Sequence, residues 1–229
     1  GEVIGREGRG GTDRLLADIP PGRGGILVKR TKIAQDRRVD LPTGLPANVD
    51  GTTLDPTAWN GNDGFSPSTP ILVHIPGIDP DLTKLPGEGD IGFSVTAESA
   101  TVIVDLDTGQ LVPHWAEMDA RAQTDVDRAL ILRPATSLIE THRFAVALRD
   151  IKDGNGLEIP APIQFQVLRD NNPTTNPQIE ERRDDFDTVF TELAAAGVNR
   201  ADLYLSWWFT VASADSLAGN VLAMRDDAF

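Results

Sequence analysis

Serine, histidine, carboxylate and tryptophan are the side chains here that could carry chemistry, and their spacing decides how far each can be taken. A serine hydrolase needs its nucleophile on a strand-to-helix elbow, Gly-x-Ser-x-Gly. The nearest stretch is Gly64-Phe65-Ser66-Pro67-Ser68. It lacks the second glycine, puts a proline after the serine, and is followed by no helical pattern, so Ser66 reads as a loop residue and no catalytic residue is assigned. Metal sites usually draw ligands from close spacings such as His-x-x-x-His. His74, His114 and His142 are far apart and unpatterned, and read as structural or surface residues. Asp150-x-x-Asp153-Gly154-Asn155 has the outline of a calcium loop, but Lys152 sits at the third ligand position and no Glu falls at the twelfth. That stretch reads as a turn. Asp55, Asp63, Asp79 and Asp81 lie in loops that could gather around calcium, and they are the metal candidates; no other cofactor is expected. Glu117, Asp119, Asp125 and Asp127 read as a solvated acidic surface.

Trp59, Trp115, Trp207 and Trp208 could form a carbohydrate-stacking platform. Adjacent strand residues face opposite sides, so Trp207 and Trp208 cannot share one ligand. Trp207 reads as core, and Trp59 and Trp208 are the candidates for packing against another layer or domain.

The wider composition excludes more than it names. Twenty-one Lys and Arg against 35 Asp and Glu give a net charge of −14, which disfavours nucleic acid and anionic membranes as partners. The absence of cysteine rules out disulfides, thiolate metal sites and cysteine nucleophiles. No run of about 18 apolar residues could span a bilayer. Residues 1–25 carry arginine and glycine where the apolar stretch of a signal peptide would lie, so an exported form is expected to have shed its signal.

The elements that must position these side chains divide the chain in three. Residues 1–69 are rich in Gly and Pro and read as an irregular extension packing on the rest, with Gly25-Ile26-Leu27-Val28 as a short edge strand. Residues 70–170 read as an antiparallel β-sandwich. Its strands are Ile71–Ile75, a hairpin through Thr101–Leu106 and Gln110–Val112, then Ala129–Arg133, Arg143–Leu148 and Ile163–Leu168. In residues 171–229 a helix over about 177–196 is capped by Asn176 and closed by Gly197, with Phe186, Val189, Phe190 and Leu193 as its apolar stripe. A strand over about 202–213 follows. The chain is expected to lead from there into a further C-terminal region. The fold class expected is mostly β, with one amphipathic helix.

Several blocks together resemble the N-terminal region of a family of large exported bacterial proteins. They are Trp59-Asn60-Gly61-Asn62-Asp63-Gly64-Phe65-Ser66-Pro67, Val73-His74-Ile75-Pro76-Gly77-Ile78-Asp79, Leu132-Arg133-Pro134-Ala135, Arg143–Asp150, Phe209–Ser213 and Met224–Phe229. A shorter stretch, Leu138 through Phe165 with its Asp153-Gly154-Asn155-Gly156 turn, is similar to the last hairpin of bacterial Ig-like modules. The resemblance implies an Ig-like domain followed by an α/β-hydrolase-like region of lipase or esterase class. The expected role is then non-catalytic, with that hydrolase-like domain as partner and a secreted or cell-surface location. The alternative is a structural or adhesive module that self-associates in an extracellular assembly.

Overall fold

A computed structural model describes residues 39, 50–53, 55–122, 124 and 127–229. The expected edge strand at 25–28, most of the Gly- and Pro-rich extension, and Asp125 lie outside the described residues.

Short β-branched and apolar runs make the strands. Among the described residues they pair into two three-stranded antiparallel sheets. The first contains β1 (Ile71–His74), β3 (His114–Met118) and β4 (Ala129–Pro134), with β4 in the centre. The second contains β2 (Thr101–Asp105), β5 (Arg143–Arg149) and β6 (Leu203–Thr210), with β5 in the centre. The helices are α1 (Ile163–Arg169), α2 (Pro177–Glu180), α3 (Arg183–Ala195) and α4 (Ala214–Ala228). One contiguous apolar core runs through both sheets and α1 to α3.

Register assigns the faces of the second sheet. Phe144 stands opposite Phe209, Val146 opposite Trp207 and Leu148 opposite Leu205, while Ile103 pairs with Val146. Those large side chains therefore share one face. Ala145 and Ala147, opposite Trp208 and Ser206, occupy the other. Their small size leaves room for Trp208 to meet α3, whose Phe186 ring stands edge-on to the indole at 5.0 Å. Phe165 of α1 packs edge-on against Phe186 and Phe190, each at 6.0 Å. Every residue of β6 is buried.

Antiparallel sheets are present as the sequence suggests, but the class is mixed α/β rather than mostly β. Four local readings change. Ile163–Leu168 is a helix: Pro162 precedes its first residue, and the buried residues Phe165 and Leu168, three apart, follow helical spacing and not alternation, while Ile163 is exposed. The helix over 177–196 is two pieces, because the chain turns at Glu181–Arg182 between α2 and α3. The Asn176 cap on the Gln178 amide, at 3.0 Å, and Gly197 at φ +83° stand as expected. The 101–112 hairpin closes with a single bridge between Val104 and Leu111, after which the chain crosses to the other sheet as β3. Finally, residues 214–228 form α4, capped by Ser213.

The glycine-rich block at 59–67 has a steric explanation. Phe65 bridges Val211 in parallel, its amide donating to the Thr210 carbonyl and its carbonyl accepting from Ala212, both at 2.9 Å. Asp63 Oδ1 accepts from the Ser213 amide at 3.0 Å. A Cβ on Gly64 would meet Ala212 N at 2.5 Å and Val211 C at 2.6 Å, backbone atoms that cannot move aside. Gly64→Ala is expected to destabilise the fold by about 1–3 kcal/mol in urea unfolding. Gly61→Ala, with nothing within 4 Å of the added carbon, is expected to be close to neutral.

Candidate functional site

The sequence Thr101-Val102-Ile103-Val104-Asp105 puts a carboxylate on the same face as Thr101 and Ile103, where an apolar residue is the norm. The strand ends there because the chain turns at once: Gly109, at φ +72°, donates its amide to the Asp105 carbonyl at 2.7 Å. The Asp105 side chain is 5% exposed. Its Oδ1 accepts the amides of Asp107 (3.0 Å) and Thr108 (3.3 Å). Its Oδ2 accepts from His142 Nδ1 at 2.8 Å. Asp107, two residues on, accepts the Arg143 amide at 2.6 Å through Oδ2.

His142 is delivered from the start of β5, half-buried and stacked on Phe144 at 28° and 6.5 Å. The residue before it, Thr141, has φ +66°, a conformation that a β-branched side chain adopts at a cost. It is held by its amide bond to the Val211 carbonyl at 3.0 Å, while the Val211 amide returns a bond to the His142 carbonyl at 3.0 Å. Asp105, Asp107 and His142 thus offer three potential ligand atoms within 4.8 Å of one another. A carboxylate accepts only, so Nδ1 carries the hydrogen in this arrangement.

His114 has a different task. It is fully buried, with Nδ1 2.9 Å from the Val112 carbonyl and Nε2 2.9 Å from Thr101 Oγ1. The carbonyl requires a hydrogen on Nδ1, so Nε2 accepts from the threonine hydroxyl and the ring is neutral. It ties β3 of one sheet to β2 of the other. Burial pushes its pKa below the usual histidine value, against the weaker upward pull of the bonds to Val112 and Thr101. His74 is the last residue of β1, paired with Ala129. The three histidines do not converge.

The four calcium candidates stand apart from the Asp105 group. Asp55 Oδ1 takes the Thr57 amide (3.0 Å) and hydroxyl (2.6 Å). Asp63 holds the Ser213 amide at the start of α4. Burial raises the Asp63 pKa, but the bonds from Ser213 and Ser216 together outweigh it and leave the carboxyl below its usual value. Asp79 Oδ1 caps the amides of Asp81 (2.9 Å) and Leu82 (3.0 Å), with Asp81 itself exposed. Asp153 behaves as a turn residue, its Oδ1 accepting the Asn155 and Leu157 amides at 2.9 Å. Lys152 lies between Asp150 and Glu158 at 3.0 and 3.1 Å. On the acidic surface, Glu117 pairs with Arg133, Asp119 accepts the Arg121 amide and Asp127 accepts the Thr124 hydroxyl. Ser66 is exposed in its loop.

Trp207 and Trp208 are both buried on opposite faces of β6, Trp115 is half-buried on β3, and Trp59 is 49% exposed. Trp208 meets another layer, and that layer is α3 of this same chain. An open cavity of about 810 Å³, lined among others by Lys84, Glu98, Arg149, Gln166, Arg169 and Tyr204, contains no histidine.

Spacing alone leaves His142 a structural or surface residue and places Asp105 and Asp107 within a hairpin. The readable signal was an acid at the inward position of an apolar strand. Its histidine partner lies 37 residues away and no spacing rule connects them. Compared with known proteins, the chain matches no family model and no curated relative. No helix among the described residues is long and apolar enough to cross a membrane.

The depressed His114 pKa has a defined sign. Between the folded and unfolded pKa values the unfolded chain binds more protons, so stability rises with pH across that interval. The contribution is fully present above about pH 6.5 and is lost as the pH falls below it. Urea unfolding measured across this range is expected to show that loss, and His114→Gln is expected to flatten it.

Proposed function

We propose that this chain is a non-catalytic region of an exported protein, with an Ig-like arrangement of its two sheets, and that it packs against a hydrolase-like domain of the same protein. The observation that carries the reading is the apolar stripe of α4. Leu217, Val221, Met224 and Ala228 recur at helical spacing, and Leu217, Val221 and Met224 are 42%, 67% and 71% exposed. The stripe is not an isolated feature. Ser213 and Ser216 at the start of α4 contact Asn62 and Asp63, three and four residues beyond the exposed Trp59, so indole and helix belong to one region of the surface. A monomer gains nothing by displaying such side chains, whereas a packing surface needs them.

The location outside the cell rests on the resemblance of the motif blocks, as does the class of the partner domain. The negative charge suits a soluble surface in that setting.

The Val221→Lys/Met224→Lys double variant is expected to keep the melting temperature of the parent chain, because neither side chain is buried within it. It is expected to lose binding to the hydrolase-like domain supplied as a separate polypeptide, measured by calorimetry. Unchanged binding would remove α4 from the interface. Sedimentation showing self-association that depends on the same two residues would favour the adhesive reading instead. Turnover of a p-nitrophenyl ester above buffer, abolished by Ser66→Ala, would overturn the non-catalytic assignment.

A further inference from the structure

We propose that Asp105, Asp107 and His142 form a binding site for one divalent first-row transition ion, Zn²⁺ or Mn²⁺ in class, which braces the turn after β2 against the start of β5. The donor set is mixed: two carboxylates and an imidazole nitrogen within 4.8 Å of one another. Asp105 Oδ2 and His142 Nδ1 are 2.8 Å apart, near the octahedral edge of about 3 Å for ligands 2.0–2.2 Å from one ion and about half an ångström short of the tetrahedral edge, so a tetrahedral ion requires the pair to open slightly.

Charge supplies a separate argument. The Asp105 carboxylate is almost wholly withdrawn from water, and among the described residues the one side chain that donates to it is His142. Arg143, the nearest fixed cation in sequence, turns its guanidinium away to Glu192 of α3 at 3.0 Å and gives this group only its backbone amide. A buried carboxylate beside a second one calls for positive charge. With a neutral imidazole the three groups carry two negative charges, which a divalent ion balances. The second oxygen of Asp107 takes no hydrogen bond among the described residues and is available to it.

On binding, the hydrogen that Nδ1 now donates to Asp105 moves to Nε2, so that the Nδ1 lone pair faces the ion, and water completes the coordination. The imidazole nitrogen and the small number of protein ligands select against Ca²⁺, which takes six to eight oxygens. None of the four loop aspartates predicted for calcium takes part.

Calorimetric titration of the chelator-stripped chain with ZnCl₂ near neutral pH tests the site. One ion per chain is expected, with a rise in melting temperature at excess metal. Asp107→Asn and His142→Gln are each expected to weaken binding by about tenfold or more. Both variants spare the buried Asp105, and circular dichroism checks that each remains folded. Should either fail to fold, Co²⁺ added to the parent chain carries the test, since a nitrogen ligand gives visible absorption bands distinct from those of the aquo ion. Absence of both heat and bands overturns the proposal. Binding that survives both substitutions places the ion elsewhere and overturns it too, and uptake of Ca²⁺ in preference to Zn²⁺ overturns the choice of ion.

Discussion

Strand β6 must be covered on both faces, and much of the molecule is arranged to do so. Its eight residues are all buried, yet it lies at the margin of its sheet, with β5 as its one strand neighbour among the described residues and the Phe65 amide, bonded at Thr210, on its other edge. One face presses Trp207 and Phe209 into the rings and branched chains of β5. The other offers Trp208 to Phe186, and through it to the aromatic cluster that joins α1 and α3. A strand clad in this way loses nearly all its accessible apolar area. At about 25 cal/mol per Å², two tryptophans, a phenylalanine and two leucines make it a large single source of stabilisation. The alanines at 145 and 147 are the complement of that arrangement, since larger side chains there would push α3 off the indole.

The end of β6 is finished by backbone rather than by side chains. The loop through Gly64 and Phe65 extends the pairing past Thr210, and its neighbours Asn62 and Asp63 seat the first turn of α4. On the same side of the molecule, Thr141 takes a strained conformation so that His142 can reach Asp105 while its backbone bonds Val211. The carboxylate group, the glycine clamp and the root of α4 therefore share the short segment from Thr210 to Ser213.

The parts of this design that show in the sequence are those governed by local rules. Strict alternation of Leu203, Leu205, Trp207 and Phe209 identifies β6 and its two faces, and spacing of three and four identifies the buried stripe of α3. Asn176 and Gly197 announce the caps. What escapes is decided by tertiary contact. Ile163-Gln164-Phe165-Gln166-Val167-Leu168 satisfies both periods, and the helix prevails because Phe165 finds the α3 aromatics from that geometry while Leu168 is buried beside it. The α4 stripe was legible in Ser213, Asp215 and the repeat at 217, 221 and 224, but Gly219 and Asn220 weaken the pattern in its middle. Asp105 and His142 meet only through strand register, which a list of residues does not contain.

The clamp also orders events in time. Asp63 and Ser213 are 150 positions apart, and drawing the ends of such a loop together costs on the order of 4 kcal/mol in chain entropy. That cost falls before the contacts that offset it can form, which slows folding. During synthesis at about 5–20 residues per second, Phe65 leaves the ribosome roughly 7–30 s ahead of Thr210. For that interval the amide and carbonyl of Phe65 have only water to bond, and β5 waits for its second neighbour with an open, apolar edge. Until the segment from Thr210 to Ser213 emerges, that edge is open to wrong pairing, and the clamp closes only when the two ends of this long loop meet.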